Sequence, residues 1–303
     1  MTDAFLLLPD FLLIAAGYFI CHHTPLNRPV WEGVERLVYY LLFPCLLFIS
    51  IVRNPLNLQS DVPLVAGGLS VILTGVLLAY GLQLVPRVDP RLHASGSQTA
   101  FRFNSYVALA LADRLAGPPG VAWMALLVSV CVPVCNIAAV WPLARTGGHG
   151  YLRELARNPL ILATLGGLAC NLMQVHFPEI VKVTLNRAGG AALPLGLMAV
   201  GAGLRLGALG ESPRLAASFL GIRHLILPAV AMGLGGVLPL SAPQQMLLVA
   251  FASMPTASSA YVLAVRMGGH GPFVAGIVSV STLLAMAGVP LSLELLRRLS
   301  AGG

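Results

Sequence analysis

Charge is what this sequence has least of. Asp, Glu, Lys and Arg together make up 10% of its 303 residues, while 57% are hydrophobic and the mean hydropathy is +0.85. A water-soluble domain carries about a quarter charged residues. A chain with so few could not cover a water-facing surface, so its solvent is lipid. Lysine occurs once, at Lys182, and no Gly-Lys-Ser/Thr phosphate loop exists, which excludes nucleotide as a partner by that route. No His-Glu-x-x-His motif and no pair of carboxylates within an apolar run is present, which leaves no zinc or aspartyl protease signature. The formal charge is +7, but the basic residues are scattered singly, so nothing marks a nucleic-acid surface. All five cysteines (Cys21, Cys45, Cys131, Cys135 and Cys170) fall in apolar runs and read as small buried hydrophobes. Cys131 and Cys135 stand one helical turn apart, yet no His or acidic residue nearby completes a metal site.

What is abundant is apolar sequence in long runs. A bilayer core about 30 Å thick needs roughly 20 apolar residues per helix, and backbone at that depth must bond internally. Ten runs qualify, near 4–21, 35–53, 62–85, 97–116, 119–143, 159–177, 190–206, 215–239, 244–266 and 272–295. Short connections such as HHTPLNRP and RNPLNLQSD leave no room for a soluble domain. The opening MTDAFLLLPDFLL lacks a basic segment ahead of its apolar run and reads as a retained first span, not a cleaved signal peptide. The odd-numbered loops hold ten arginines, against six Lys or Arg in the even loops and termini, which places both termini on the outer, periplasmic side.

The two halves of the chain correspond. ADRLAG at Ala112–Gly117 matches AVRMGG at Ala264–Gly269, and Pro44 in YLLFPCLLF matches Pro194 in GAALPLGLM, in the same order. An odd number of spans separates each pair, so the second copy is inverted, the pattern of a five-plus-five repeat. The fold expected is all-α, with ten transmembrane helices as two inverted five-helix repeats, residues 1–148 and 149–303, whose fourth and ninth helices are interrupted.

Those two helices are the conspicuously polar ones. The fourth opens SGSQTAFRFNSY and the ninth contains ASMPTASSAY, at equivalent places in the two halves. In transporters built from inverted repeats, paired interrupted helices form the midplane substrate site, because freed N–H groups bind anions and freed carbonyls bind cations. The candidate binding residues are Arg102, Asn104, Ser105, Tyr106, Pro255, Thr256, Ser258, Ser259 and Tyr261. An arginine at the centre of a span costs about 2.5–3.5 kcal/mol on insertion scales. Two readings of Arg102 stand: a guanidinium fork for a substrate carboxylate, or a helix-end arginine snorkelling to the headgroups. Arg223 and His224 form a second intramembrane basic pair, either a partner of this site or a packing element. Asp10 and Asp113 are the acids near spans; each is either solvated at an interface or a proton relay. The coupling ion could be H⁺, or Na⁺ held by carbonyls and hydroxyls without any carboxylate. Gly67, Gly68, Gly201 and Gly203 offer close helix approach. Competing classes are an intramembrane enzyme, for which Ser129, Cys131 and His224 lack a sequence-adjacent partner, and a passive channel, which would need more than two polar spans.

FRFNSYVALALADRLAG, MPTASSAYVLAVRMGGHGPFVAGIVSVSTLLAMAGVPL and VERLVYYLLFPCLLFISI together resemble the auxin efflux carrier family of membrane transporters, most strongly around the fourth, fifth, ninth and tenth spans. The resemblance implies scaffold helices near 4–53 and 159–206 and transport-domain helices near 62–143 and 215–295. It further implies an elevator motion, a homodimer, and a bacterial member in the cytoplasmic membrane moving a small carboxylate, auxin-like or malonate- or malate-like. Asn104 matches the asparagine of the family's crossing motif and Pro255 the proline of the ninth helix. Plant members carry a further proline at each crossing, where this chain has Leu111 and Ala260. That leaves the crossing either to local unwinding at Ser and Thr or less sharp.

Overall fold

The computed structural model describes residues 3–53, 58–86, 88–144, 159–204 and 212–301. Helices dominate them, as a lipid solvent requires, and the described residues contain no β-strand beyond a single isolated bridge. In chain order the α-helices are α1 (Asp3–His23), α2 (Arg28–Leu37), α3 (Phe43–Arg53), α4 (Leu58–Gly81), α5 (Pro90–Gly96), α6 (Ser105–Ala144), α7 (Pro159–Leu172), α8 (Glu179–Ala202), α9 (Pro213–Gly221), α10 (Leu227–Val237), α11 (Ala242–Ala252), α12 (Ser259–Arg266) and α13 (Gly271–Ala301). Among the described residues, five segments are long and apolar enough to cross a membrane: Arg28–Arg53, Asp61–Leu84, Ser105–Leu143, Pro213–Val237 and Gly271–Leu299. Two of these join helix pairs through a π-helical turn, Val38–Leu42 between α2 and α3 and Ile222–Ile226 between α9 and α10.

Every apolar run read from the sequence falls on one or more of these helices, with shifted ends. The second begins earlier, at Arg28, because α2 carries a polar face on which Arg28 pairs with Glu35 at 2.8 Å and approaches Glu32 at 3.7 Å. The seventh begins at Glu179, where Lys182 pairs with Glu179 one turn on. Part of RNPLNLQSD is helix, not connection: α4 starts at Leu58, and Asp61 is buried there, accepting from Trp123 Nε1 at 3.0 Å and Gln244 Nε2 at 3.2 Å. Arg87, Arg145, Arg153, Arg157 and Arg205, part of the loop-charge argument, lie outside the described residues.

Helix α6 is two helices that meet at Gly117, whose φ of 58° and ψ of −149° fold the chain back on itself. The matching segment of the second half ends α12 near Gly268, at φ 71°. Only glycine adopts such angles without strain. The repeated ADRLAG and AVRMGG are therefore helix ends with left-handed glycines, one register apart.

Packing also relates the halves. Helix α1 packs on α8 and α3 packs on α7, so the first run meets the seventh and the second meets the sixth. The α1–α8 contact is backbone against backbone. A Cβ on Gly201 would lie 1.8 Å from the Ile14 carbonyl oxygen, and one on Gly17 would lie 1.9 Å from that of Met198. Gly67 and Gly68 are tight against the Leu248 and Leu127 side chains, whereas Gly203 meets only ordinary contacts. Replacing Gly201 by Leu should therefore cost more than about 3 kcal/mol, since a backbone carbonyl cannot repack. Gly190→Ala, where nothing lies within 4 Å, should leave the melting temperature of detergent-solubilised protein unchanged or raised. Equal melting of both variants would refute this account of the interface.

Candidate functional site

The fourth and ninth apolar runs are each broken in the middle, and the breaks cross. On the first, α5 runs into a short 3₁₀ turn (Ser97–Ala100), then Phe101–Asn104 is non-helical before α6 starts at Ser105. On the second, α11 ends at Ala252, Ser253–Ser258 is non-helical, and α12 starts at Ser259. The two open segments pair antiparallel at Phe103 and Thr256. Asn104 N donates to Pro255 O at 2.8 Å, and Ala257 N donates to Arg102 O at 3.3 Å. Phe103 and Thr256 thus form the non-hydrogen-bonded pair of a minimal ladder, with their own N–H groups facing outward. The N–H of Thr256 is taken by Ser281 Oγ of α13 at 2.8 Å, and its hydroxyl donates to Thr99 O at 2.7 Å. Cys135 Sγ reaches Phe101 O at 3.6 Å. Leu111 lies inside α6, away from the first break, while Ala260 is the second residue of α12, just past the second; extended backbone makes the crossing in place of further prolines.

The candidate residues divide by where they stand. Asn104 and Thr256 are buried and hold the crossing together. Asn104 also caps α6, its Oδ1 accepting from the N–H groups of Tyr106 (3.0 Å) and Val107 (3.3 Å). Pro255 is buried and supplies the carbonyl for Asn104. Arg102, Ser105, Tyr106 and Ser258 are half-buried, and Ser259 is exposed. Arg102 does not extend alone toward a membrane surface: its Nη1 donates to Gln98 Oε1 at 3.2 Å and its Nη2 to Ser259 Oγ at 3.0 Å, across the two broken helices. Tyr106 stacks flat on Phe43 of α3, with ring centroids 4.5 Å apart and planes 9° apart, in a space kept open by Gly196. Tyr261 packs instead with Ala260, Ala264, Val274 and Val278.

Of the outlying candidates, Arg223 and His224 reach the crossing. Arg223 is fully buried, with Nε donating to Met254 O at 2.6 Å and Nη2 to Phe251 O at 3.4 Å. His224 Nε2 lies 2.8 Å from Ser281 Oγ. Asp113 is exposed, nine residues beyond Asn104 along α6, about 13 Å of helix rise. Asp10 falls in α1, and its side chain lies outside the described residues. Among the described residues no group of three or more His, Cys, Asp or Glu is placed to hold a metal.

Gln98, Thr99 and Ser281 at the crossing carry no individual reading from sequence, and Cys135 reads there as a small buried hydrophobe. The hydroxyl cluster Ser279, Ser281 and Thr282 inside an otherwise apolar run was the readable signal for Ser281. Ser281 and His224 have the spacing of a nucleophile and base, but Ser281 is fully buried and its oxygen already accepts the Thr256 N–H. Ser129 donates to Leu126 O of its own helix.

Comparison with known proteins follows the same lines. A family model described as membrane transport protein matches residues 145–293. A Rhizobium meliloti protein named "Putative malonate transporter" is 26% identical over 96% of this chain and 95% of its own length. A Methanothermobacter thermautotrophicus protein named "Uncharacterized transporter" is 25% identical over 92% of this chain and 94% of its own length.

Variants at two positions check the crossing. Asn104→Ala should cost about 1 kcal/mol through the lost cap, and Asn104→Asp should recover most of it. Ser281→Ala should cost about 1–3 kcal/mol, by leaving the buried Thr256 N–H unpaired. Thermal melting in detergent reads both; an Ala variant at either position that melts like the parent would contradict the bonding described.

Proposed function

We propose that this chain, which belongs to the auxin efflux carrier family of membrane transporters, is a secondary transporter that binds a small organic carboxylate at the accessible side of the crossing. One observation carries the reading: Arg102 bridges to Ser259 where the half-helices starting at Ser105 and Ser259 both begin. A helix start carries about half a positive charge; the Tyr106 and Val107 N–H groups are already taken by Asn104, so these starts act here through their dipoles. Two such starts, a guanidinium, and the hydroxyls of Ser105, Ser258 and Ser259 make an anion site with neutral donors around one fixed charge. A carboxylate would displace the Ser259 hydroxyl from Arg102 and take its place, because a charge-assisted bidentate pair is stronger than a hydroxyl contact. The Tyr106–Phe43 stack borders the site and offers an apolar wall. The name of the Rhizobium meliloti relative favours a short dicarboxylate of the malonate or malate type over an auxin-like aromatic acid.

The mode of transport that fits is alternating access by an elevator motion. Residues 1–148 and 149–303 would be the two inverted repeats, and the exchange of partners between α1–α8 and α3–α7 is the packing an in-plane two-fold axis generates. Helices near 4–53 and 159–206 would form the scaffold and the homodimer contact, in a bacterial cytoplasmic membrane with both termini periplasmic. The broken helices, with their neighbours, would carry the substrate past that scaffold.

Arg102→Gln tests the site. The variant should fold in normal yield yet lose the rise in melting temperature that malonate gives the parent, a rise that follows binding to the folded state. Malonamide, which lacks the charge, should stabilise neither. A retained malonate shift in the variant, or equal losses of shift and yield, would overturn the assignment.

A further inference from the structure

The π-helical turn Ile222–Ile226 sets Arg223 against the broken ninth helix and His224 against α13. Neighbours on a regular α-helix diverge by about 100°, yet here Arg223 reaches Phe251 and Met254 while His224 reaches Ser281. Such insertions are frequent at functional sites. Helix α11 stops at Ala252 inside the protein; Ser253 closes on the Val249 and Ala250 carbonyls, while Phe251 O receives only a long 3.4 Å backbone bond from Met254 N. That end carries about half a negative charge. In proteins with broken membrane helices, half-helix C-termini of this kind coordinate a free cation.

Here the position is already filled. The guanidinium of Arg223 donates to the Phe251 carbonyl of this end and to the Met254 carbonyl just beyond it, and among the described residues no carboxylate pairs with it. Its third nitrogen, Nη1, is buried without a hydrogen-bond partner. A fully buried charge is costly, and among the described residues the acceptors that offset it are the Phe251 and Met254 carbonyls. The equivalent end on the fourth run is served differently: Thr99 O takes a hydroxyl, Phe101 O takes a thiol, and Gly75 stands beside Ala100 O. We infer that Arg223 is a tethered cation, filling on the ninth helix the carbonyl site where a free monovalent cation would bind, so that this end of the crossing needs no sodium. The consequence for transport rests on the reading above: the carboxylate moves without sodium at this position.

The test compares the parent, Arg223→Ala and Arg223→Lys in detergent, each melted with millimolar guanidinium, sodium or choline chloride at constant ionic strength. The parent should melt alike in sodium and choline. Arg223→Ala should melt several degrees lower and recover saturably with guanidinium, more weakly with sodium and not with choline. Arg223→Lys, which keeps a tethered charge, should fold and ignore sodium. If Arg223→Ala yields folded protein only when solubilised with guanidinium, that rescue is the same result. A saturable sodium shift in the parent, or no rescue of Arg223→Ala by either cation, would overturn the inference. Malonate uptake by the parent in proteoliposomes is scored separately: its absence with the rescue intact would sink the transport reading alone.

Discussion

Backbone hydrogen bonding without water is the constraint on which this molecule turns. Two helices stop and restart inside an apolar protein, and each break frees N–H and C=O groups that lipid cannot satisfy. The answer is mutual. Each open segment serves the other through the Asn104–Pro255 and Arg102–Ala257 bonds. The groups that face away are met by side chains: Ser281 for the Thr256 N–H, Thr256 for the Thr99 carbonyl, Arg223 for Met254 and Phe251. Neither break could persist without the other, which binds residues more than 150 positions apart into one unit.

The surrounding helices make that unit possible. Left-handed glycines at Gly117 and Gly268 turn the chain at the far ends of α6's first half and of α12, so each second half-helix is held by the span that follows. Close backbone contact between α1 and α8 is available only because Gly17 and Gly201 lack side chains. Small residues of this kind take over the role that hydrophobic burial plays in water, since lipid is as apolar as the helices it solvates.

Much of this was legible. Runs of apolar residues announced the helices, and Ser, Thr, Asn and Arg clustered inside two of them announced where helices fail. Asn104 and Pro255 were readable because they stand in the two polar stretches and match the crossing motif of the family the chain resembles. Arg102 was readable as an intramembrane charge, though not its bridge to Ser259. Asp61 was misplaced in a connection, because a short polar stretch ahead of an apolar run looks the same whether it is loop or the first turn of a helix. Ser281 was passed over because a serine in a membrane helix commonly bonds its own preceding turn, as Ser279 and Thr282 do.

Composition and hydrophobic run length determined that the chain is helical and lives in lipid, and polar clusters inside two runs determined which helices are interrupted, because those properties depend on the solvent and on local backbone needs. Tertiary structure decided which freed group meets which partner. It buried Asn104 and Thr256 as struts, left Arg102 and Ser259 on the accessible side, and turned Arg223 onto a helix end. Pairings across so many residues follow from how the two breaks pack against each other, and no local pattern encodes that geometry.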